Sequence, residues 1–163
     1  MRYFNTGQIS SSLTRTAVLF FLLMILLFWA SSALMFFQRM SFDPTSVMQH
    51  YLGKPSEWGG PVVGRSYKVM LEVSHAHLFA MGMLLLTLTH LLIFVPVSPR
   101  LKIVLTSSAF LSALCNEGSG WLIRFVSPQF AYFKLLAFAC FQLSMAALVL
   151  MLISAFIRPA GKR

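Results

Sequence analysis

The stretch Leu71–His90, with the sequence LEVSHAHLFAMGMLLLTLTH, decides the fold class of this chain. It is apolar over most of its length, yet it contains four ionisable side chains. These are Glu72, His75, His77 and His90. Ionisable side chains at membrane depth are costly, and they usually face a protein interior, a cavity or a ligand. We therefore expect a membrane helix here, and we expect the function of the protein to depend on it.

The composition is that of an integral membrane protein. The chain has 163 residues, of which 58% are hydrophobic and only 10% are charged, whereas a soluble domain usually has about 25% charged residues. The formal net charge of +9 comes from basic residues at the ends of apolar runs. Lys and Arg in such places set topology and meet anionic headgroups. We therefore expect these basic residues to interact with the lipid bilayer, and not with nucleic acid.

Four apolar runs are each long enough to cross a bilayer as a helix. The predicted spans are about residues 14–37, 67–94, 101–126 and 129–157. The expected fold class is all-α, an integral membrane four-helix bundle in which residues 1–163 form a single membrane domain. The first run is longer than the apolar region of a signal peptide, so we interpret it as a retained span.

The longest stretch that is not apolar, residues 38–66, connects the first two spans. Asp43 followed by Pro44 predicts an N-cap and the first residue of a helix, and Gly53 predicts its end. Residues about 44–52 are therefore expected to form a short helix on the membrane surface. This helix contains His50.

The distribution of basic residues favours one orientation by a slight excess. With both termini in the cytoplasm, the inner flanks contain Arg2, Arg15, Arg100, Lys102, Arg158, Lys162 and Arg163, and the outer flanks contain Arg39, Lys54, Arg65, Lys68, Arg124 and Lys134. Because positive flanks tend to stay inside, we expect a multi-pass protein of the inner (plasma) membrane with loop 38–66 outside. We expect the long side chains of Arg124 and Lys134 to reach the outer interface.

On a regular helix, most of the polar residues in the second span fall on one face. Glu72 lies about 60° from His75 around the helix axis, Gly82 about 20° from it and His90 about 60°. His77 points about 160° away from His75. We therefore expect a functional stripe on the face of His75, on which Gly82 makes room for a flat macrocycle.

Several ionisable groups are also expected at one depth. His75 and His77 lie roughly 10–15 Å from the outer end of the second span, and Glu117 lies roughly 14 Å from the outer end of the third. If the two spans are antiparallel neighbours, these groups share a level. We expect a polar chamber in the outer half of the bundle, covered by His50.

The first functional hypothesis is a b-type haem bound through His75, His77 and His90. Neutral imidazole is a common axial ligand, and membrane helices hold haem between them. His90 follows His75 by 15 residues and His77 by 13, a spacing that resembles four-helix membrane cytochromes of the b type. The resemblance covers this span only and implies opposing histidines on facing helices. The other predicted spans contain no histidine, so His50, a methionine or another subunit would complete an axial pair.

The second hypothesis is a transition-metal site near the outer surface. Its candidate ligands are of types suited to Zn, Cu or Fe. They are Glu72, His75, His77, Glu117 and His50. Their spacing matches no zinc signature such as HExxH. Under either hypothesis the chain is a small subunit of a redox or electron-transfer system with haem b or a transition metal as cofactor.

Two further interpretations remain open. A buried histidine beside carboxylates titrates near neutral pH, so the cluster also fits proton relay, quinone handling or transport. Alternatively, the charged residues form ion pairs that hold the helices together, and the chain is a non-catalytic accessory or assembly subunit. Because the ligand set within one chain is incomplete, we expect other subunits of a membrane complex or a homo-oligomer.

Overall fold

The computed structural model describes residues 12–54 and 63–157, and all the regular secondary structure in these ranges is α-helix. The helices in chain order are α1 Ser12–Arg39, α2 Pro44–Leu52, α3 Tyr67–Leu92, α4 Pro99–Phe125 and α5 Phe130–Ile157. The prediction of an all-α fold is therefore confirmed. Four helices of 26 to 28 residues form a bundle, and the short α2 lies across one end of it.

The helices begin where side-chain oxygens cap their free N–H groups. At α2, the Asp43 carboxylate accepts a hydrogen bond from the Ser46 N–H at 3.0 Å, and Pro44 is the first helical residue. Gly53 ends α2 with φ at 95°, a left-handed value that favours glycine. Ser66 and Ser98 cap α3 and α4 in the same way.

Three helices in the described part of the chain are long and apolar enough to cross a membrane. They are Leu13–Arg39, Tyr67–Leu92 and Phe130–Ile157. Helix α4 has the length, 27 residues, but it is the most polar of the long helices. Ser112, Ser119 and Gly120 on α4 are buried, so part of its polarity faces the bundle.

Helix α5 is at the centre of the bundle and packs against all four other helices, most extensively against α4. Small buried residues on α4, such as Ala109 and Ala113, let the two backbones approach. The Ser144 hydroxyl donates to Ser108 across this contact at 3.2 Å. Helices α1 and α3 border this pair but are not packed extensively against each other in the described chain.

Two apolar clusters hold the bundle. The larger one fills the end away from α2, where Leu22 of α1, Leu88 of α3 and Leu148 of α5 are completely or almost completely buried. The smaller one lies under α2 and includes Val47 of α2. In that cluster the ring of Phe36 stacks on Phe138, with centroids 3.7 Å apart. Polar groups therefore concentrate in the half of the bundle nearest α2.

Candidate functional site

A cavity of about 240 Å³ opens between α1 and α3 in the half of the bundle nearest α2. Helices α4 and α5 form its back wall, and His50 and Tyr51 of α2 lie at one end. We call this space the lateral cleft. Because α1 and α3 do not pack extensively on each other, the cleft has an opening on the side of the bundle.

One wall of the lateral cleft contains a chain of hydrogen bonds that joins α3 to α4. The Trp121 indole N–H donates to Ser74 Oγ at 2.8 Å, and the Ser74 hydroxyl donates to Glu117 Oε1 at 2.5 Å. The other carboxylate oxygen, Oε2, lies 3.1 Å from His77 Nδ1. Because a carboxylate accepts, Nδ1 bears the proton in this contact, and Nε2 of His77 is left for another partner.

The back wall, formed by α4 and α5, contains a buried lysine. Lys134, in the first turn of α5, is only 6% exposed. Its ammonium group donates to the backbone carbonyl of Asn116 at 2.5 Å and lies 6.0 Å from the centre of the Tyr51 ring. Lys134 was expected at the outer interface, and that prediction was wrong. The carbonyl, the aromatic face and the nearby Glu117 carboxylate replace water around the ammonium, so it stays inside the bundle.

Asn116 presents an unsatisfied acceptor at the same wall. Its Oδ1 is buried and has no hydrogen-bond partner in the described part of the chain, although Asn116 lines the lateral cleft. Buried polar atoms nearly always have a partner. Asn116 therefore brings to the lining an amide oxygen whose hydrogen-bonding capacity the described chain does not use.

Helix α2 covers its end of the cleft through a close contact with α4. The Tyr51 ring lies against Gly120, where a Cβ atom would come within 2.8 Å of Tyr51 Cε1. The Arg124 Nε–H donates to the Arg65 carbonyl at 2.9 Å, and the Arg65 N–H donates to the Tyr51 carbonyl at 3.0 Å. Arg124, expected at the outer interface, thus helps to hold the segment after α2.

The two titratable residues of α2 at the cleft are both neutral near pH 7. Burial, together with the positive charges of Arg65, Arg39 and Lys134, lowers the pKa of His50 to about 4. Burial and the negative charge of Glu117 raise the pKa of Tyr51 to about 12. The end of the cleft under α2 therefore presents an uncharged imidazole and an uncharged phenol.

The structure brings together only part of the site that the sequence suggests. His77, Glu117 and His50 all line the lateral cleft, as expected for a shared polar chamber. Gly82, by contrast, is not among the residues lining the cleft, and a Cβ added there would meet no atom within 4 Å.

The expected functional stripe lies on the outward face of α3. His75 and His90 are exposed, and Glu72 is an exposed partner of Lys68 at 3.9 Å. The stripe therefore lies outside the lateral cleft, and its role stays a prediction. Ser74 and His77, on the other side of the helix, face α4 instead. An apolar helix shows two polar faces in its sequence, but periodicity does not tell which of them packs against protein.

The five residues suggested as metal ligands are not assembled into one site. Glu72 and His75 do not line the cleft that contains the other three. Within residues 12–54 and 63–157, no group of three or more His, Cys, Asp or Glu side chains is placed to hold a metal ion. Of the suggested haem ligands, His77 and His50 share the cleft, whereas His75 and His90 lie outside it.

Three site residues have no role in the sequence-based hypotheses. They are Ser74, Trp121 and Tyr51. Ser74 precedes His77 by one helical turn and Trp121 follows Glu117 by one, so each shares a face with an ionisable residue. That spacing in the sequence was enough to place Ser74 beside His77 and Trp121 beside Glu117. The contact of Tyr51 with Gly120 had no comparable signal, because it depends on how α2 folds back.

The family comparison supports a membrane protein. Residues 41–163 match the sequence model of a family described as a transmembrane helical domain. The match covers α2 to α5, and α1 precedes it. No curated protein and no solved structure matches the chain.

Proposed function

The chain belongs to the Aq_1264_TM family of transmembrane helical domains, and on that premise we propose that it binds a lipid-soluble amphiphile in the lateral cleft. The observation that supports this most is the position of the cleft between two long helices that do not close on each other. An opening on the side of a membrane bundle is in contact with lipid. A molecule dissolved in the bilayer can therefore enter without crossing water.

The lining of the cleft has the mixed chemistry that an amphiphile requires. Most of it is apolar and aromatic, as in typical ligand sites. Examples are Phe141, Met81 and Leu84. Lys134 and Glu117 add polar groups to this lining. A ligand with an apolar body and a polar head satisfies both parts of the surface.

The closed end of the cleft favours binding over transport through the bundle. On the side of the cleft away from α2, the larger apolar cluster fills the space between the long helices. Leu88, Leu148 and Leu152 in this cluster are 0% exposed. A proton or ion would need polar groups or water through that layer. The arrangement therefore supports a site open towards one half of the membrane.

We propose further that α4 is a fourth span. Its 27 residues extend about 40 Å, and it packs along α5, which is apolar enough to cross. Four crossings place both termini on one side. The basic residues favour the cytoplasm for that side, with α2 outside an inner (plasma) membrane.

A pair of alanine substitutions on α3 tests ligand binding. Ala80 lines the lateral cleft, whereas Ala76, one turn earlier, does not. Ala80→Trp fills the cleft with a large ring, and Ala76→Trp adds the same ring to the outward face. The chain and both variants are purified in mild detergent, and bound lipophilic molecules are extracted and measured by mass spectrometry.

The proposal predicts one enriched amphiphile that stays with the wild type and with Ala76→Trp and is lost from Ala80→Trp. If the three proteins contain the same lipid mixture, the cleft is not a binding site. That outcome favours an accessory or assembly subunit, in which the Glu117 network only holds the helices together.

A second candidate is haem b, because His50 and His77 line the same cleft. His77 Nδ1 is held by a carboxylate, an arrangement common for metal-binding histidines. His50 stays neutral near pH 7, as a ligand must. This candidate keeps His77 and His50 from the haem hypothesis and leaves out His75 and His90, and it makes the chain a redox subunit.

An absorption spectrum of the purified chain tests the haem candidate. A Soret band that disappears in both His50→Ala and His77→Ala, and persists in His75→Ala, supports it. A colourless protein, or a Soret band that persists in both cleft variants, eliminates the haem candidate. The amphiphile is then the remaining proposal for the cleft.

A further inference from the structure

We infer that the amphiphile is of the quinone class, a flat ring with an oxygen on each of two opposite edges and an apolar tail. This inference rests on the proposed binding function and names the chemistry of the ligand. It concerns hydrogen bonding to the oxidised and reduced forms and includes no electron-transfer step. The argument starts from polar groups on two different walls of the lateral cleft.

The α5 wall offers a strong donor. The Lys134 ammonium has three N–H groups, and one of them is used by the Asn116 carbonyl. Lys134 lines the cleft and is 6% exposed, so its other donors need acceptors inside the bundle. A quinone carbonyl oxygen or a quinol hydroxyl oxygen is an acceptor of the required kind.

The α3 wall offers a group that can serve either form of a quinone. With Nδ1 held by Glu117, neutral His77 presents a lone pair at Nε2, which accepts a hydrogen bond from a quinol hydroxyl. Protonated His77 presents an N–H at the same atom, which donates to a quinone carbonyl.

The unsatisfied Oδ1 of Asn116 supports the same class. It is a buried acceptor on the residue whose backbone carbonyl accepts from Lys134, and a quinol hydroxyl is a donor of the kind it lacks. A purely apolar ligand leaves this atom without a partner, which is unfavourable for a buried polar group.

Charge favours a neutral head over an acidic one. Deep in the cleft, the positive charge of Lys134 faces the negative charge of Glu117, whereas Arg39 and Arg65 line the cleft near His50. A carboxylate or phosphate placed between Lys134 and Glu117 gains attraction from the lysine but is repelled by the glutamate. A carbonyl or hydroxyl avoids this repulsion and the loss of hydration that burial of an ion entails.

Aromatic side chains provide a surface for a flat ring. Trp121, Phe138 and Phe141 line the cleft, and rings pack well against rings in offset or edge arrangements. The Trp29 indole N–H donates to the Gln142 side-chain oxygen, so these two lining groups already satisfy each other. The polar groups away from the α2 end that are left for a head group include Lys134, His77 and Asn116, and His50 and Tyr51 lie at the α2 end.

The test is a binding titration with a decyl-substituted 1,4-benzoquinone, monitored by tryptophan fluorescence. The protein has three tryptophans, and Trp29 and Trp121 line the cleft. A Trp58→Phe background therefore reports quenching from these two alone. Decylbenzene, which has no oxygens, and dodecanoate, which has an acidic head, are tested by displacement of the quinone.

Two pairs of variants locate the contacts. Lys134→Met and His77→Phe each remove one contact to the head, and Lys68→Met and His75→Phe make the same changes on the outward side of α3. We expect each cleft variant to weaken quinone binding by about 10-fold or more, the range for a hydrogen bond to a charged group. The outward variants leave it unchanged. Lys134→Gln and His77→Gln, which keep polar atoms at both walls, replace any variant that does not fold.

The outcomes separate the inference from the function on which it rests. The quinone class is overturned if decylbenzene binds as tightly as the quinone, or if the cleft variants do not weaken quinone binding. Either result still leaves an amphiphile site. Tighter binding of dodecanoate overturns it in favour of an acidic head. If none of the three molecules binds and no amphiphile co-purifies, both the inference and the proposed function fail.

Discussion

His77 Nδ1 on α3 lies 3.1 Å from Glu117 Oε2 on α4, and this contact links two helices at the level of the lateral cleft. The same carboxylate accepts a hydrogen bond from Ser74. Glu117 therefore has two donors from α3, and its side chain is only 15% exposed. A carboxylate in this position holds the helices together and also fixes the ring of His77 at the wall of the cleft.

Removal of the Glu117 carboxylate is expected to destabilise the bundle. Glu117→Ala leaves the Ser74 hydroxyl and the His77 ring without their acceptor and leaves Lys134 without a nearby negative charge. We expect a loss of about 2 kcal/mol in the free energy of unfolding. Thermal unfolding in detergent measures it, with Glu72→Ala on the exposed face as the control, for which a change within about 0.5 kcal/mol is expected. Equal effects of the two substitutions would show that the network is not structural.

Two glycines in one turn of α4 provide a matched test of how α2 docks. A Cβ at Gly120 comes within 2.8 Å of the Tyr51 ring, whereas a Cβ at Gly118 meets no atom within 4 Å. Gly120→Ala is expected to destabilise the protein by about 1–3 kcal/mol through overpacking. Gly118→Ala is expected to stabilise it by about 0.5–1 kcal/mol, because alanine favours helix.

The clash at Gly120 also predicts a rescue. In a Tyr51→Ala background the ring is absent, so Gly120→Ala no longer overpacks the contact, and the two changes are not additive. Unfolding measurements on the single and double variants check this. A Gly120→Ala effect that is the same with and without the Tyr51 ring would mean that the ring does not lie against α4.

The low pKa of His50 predicts loss of stability in acid. Its pKa is about 4 in the folded protein against an ordinary value of 6.5, so between these values the unfolded chain binds more protons. Stability is therefore full above pH 6.5 and falls as the pH drops from 6.5 towards 4. His50→Gln should reduce this fall, and Arg39→Gln should raise the pKa of His50 by removing a positive charge. Unfolding curves at a series of pH values measure both effects, and identical curves for wild type and His50→Gln would contradict the assignment.

The sequence predicted the helices well because their signals are local. Asp43, Pro44 and Gly53 specify the start and end of α2, and the structure has that helix at Pro44–Leu52. Long apolar runs likewise predicted α1, α3 and α5, which have the length and composition of membrane spans. The polar third run was also predicted as a helix, and α4 is present at Pro99–Phe125.

The sequence predicted the site only in part. Which face of a helix turns towards the bundle, and how deep a side chain lies, depend on how the helices pack. Glu117 and His77 were correctly expected at a shared level, since the estimate needs only the rise of a helix and an antiparallel pair. The His75 face lies outside the lateral cleft, and the sequence did not show this because lipid and protein are both apolar surroundings for a helix. Lys134 was misplaced because its partners, Asn116 and Tyr51, come from two other helices.

The proposed four spans predict that the two termini lie on the same side of the membrane. Reporter fusions at the two ends of the chain, one type active only in the cytoplasm and one only outside it, measure this directly. We expect the cytoplasmic reporter to be active at both ends, and a fusion after Lys54, which follows α2, to be active outside. Termini on opposite sides would mean that α4 does not cross, and the bundle would then have three spans.

The central claim is that the space between α1 and α3 holds a ligand, and an experimental density map of the chain in lipid nanodiscs tests it most directly. We predict elongated density in the lateral cleft, with its head in contact with Lys134 and His77 and its tail leaving between α1 and α3. A map in which α1 packs directly on α3, with no cleft, would contradict the account. So would an open cleft that contains only disordered lipid.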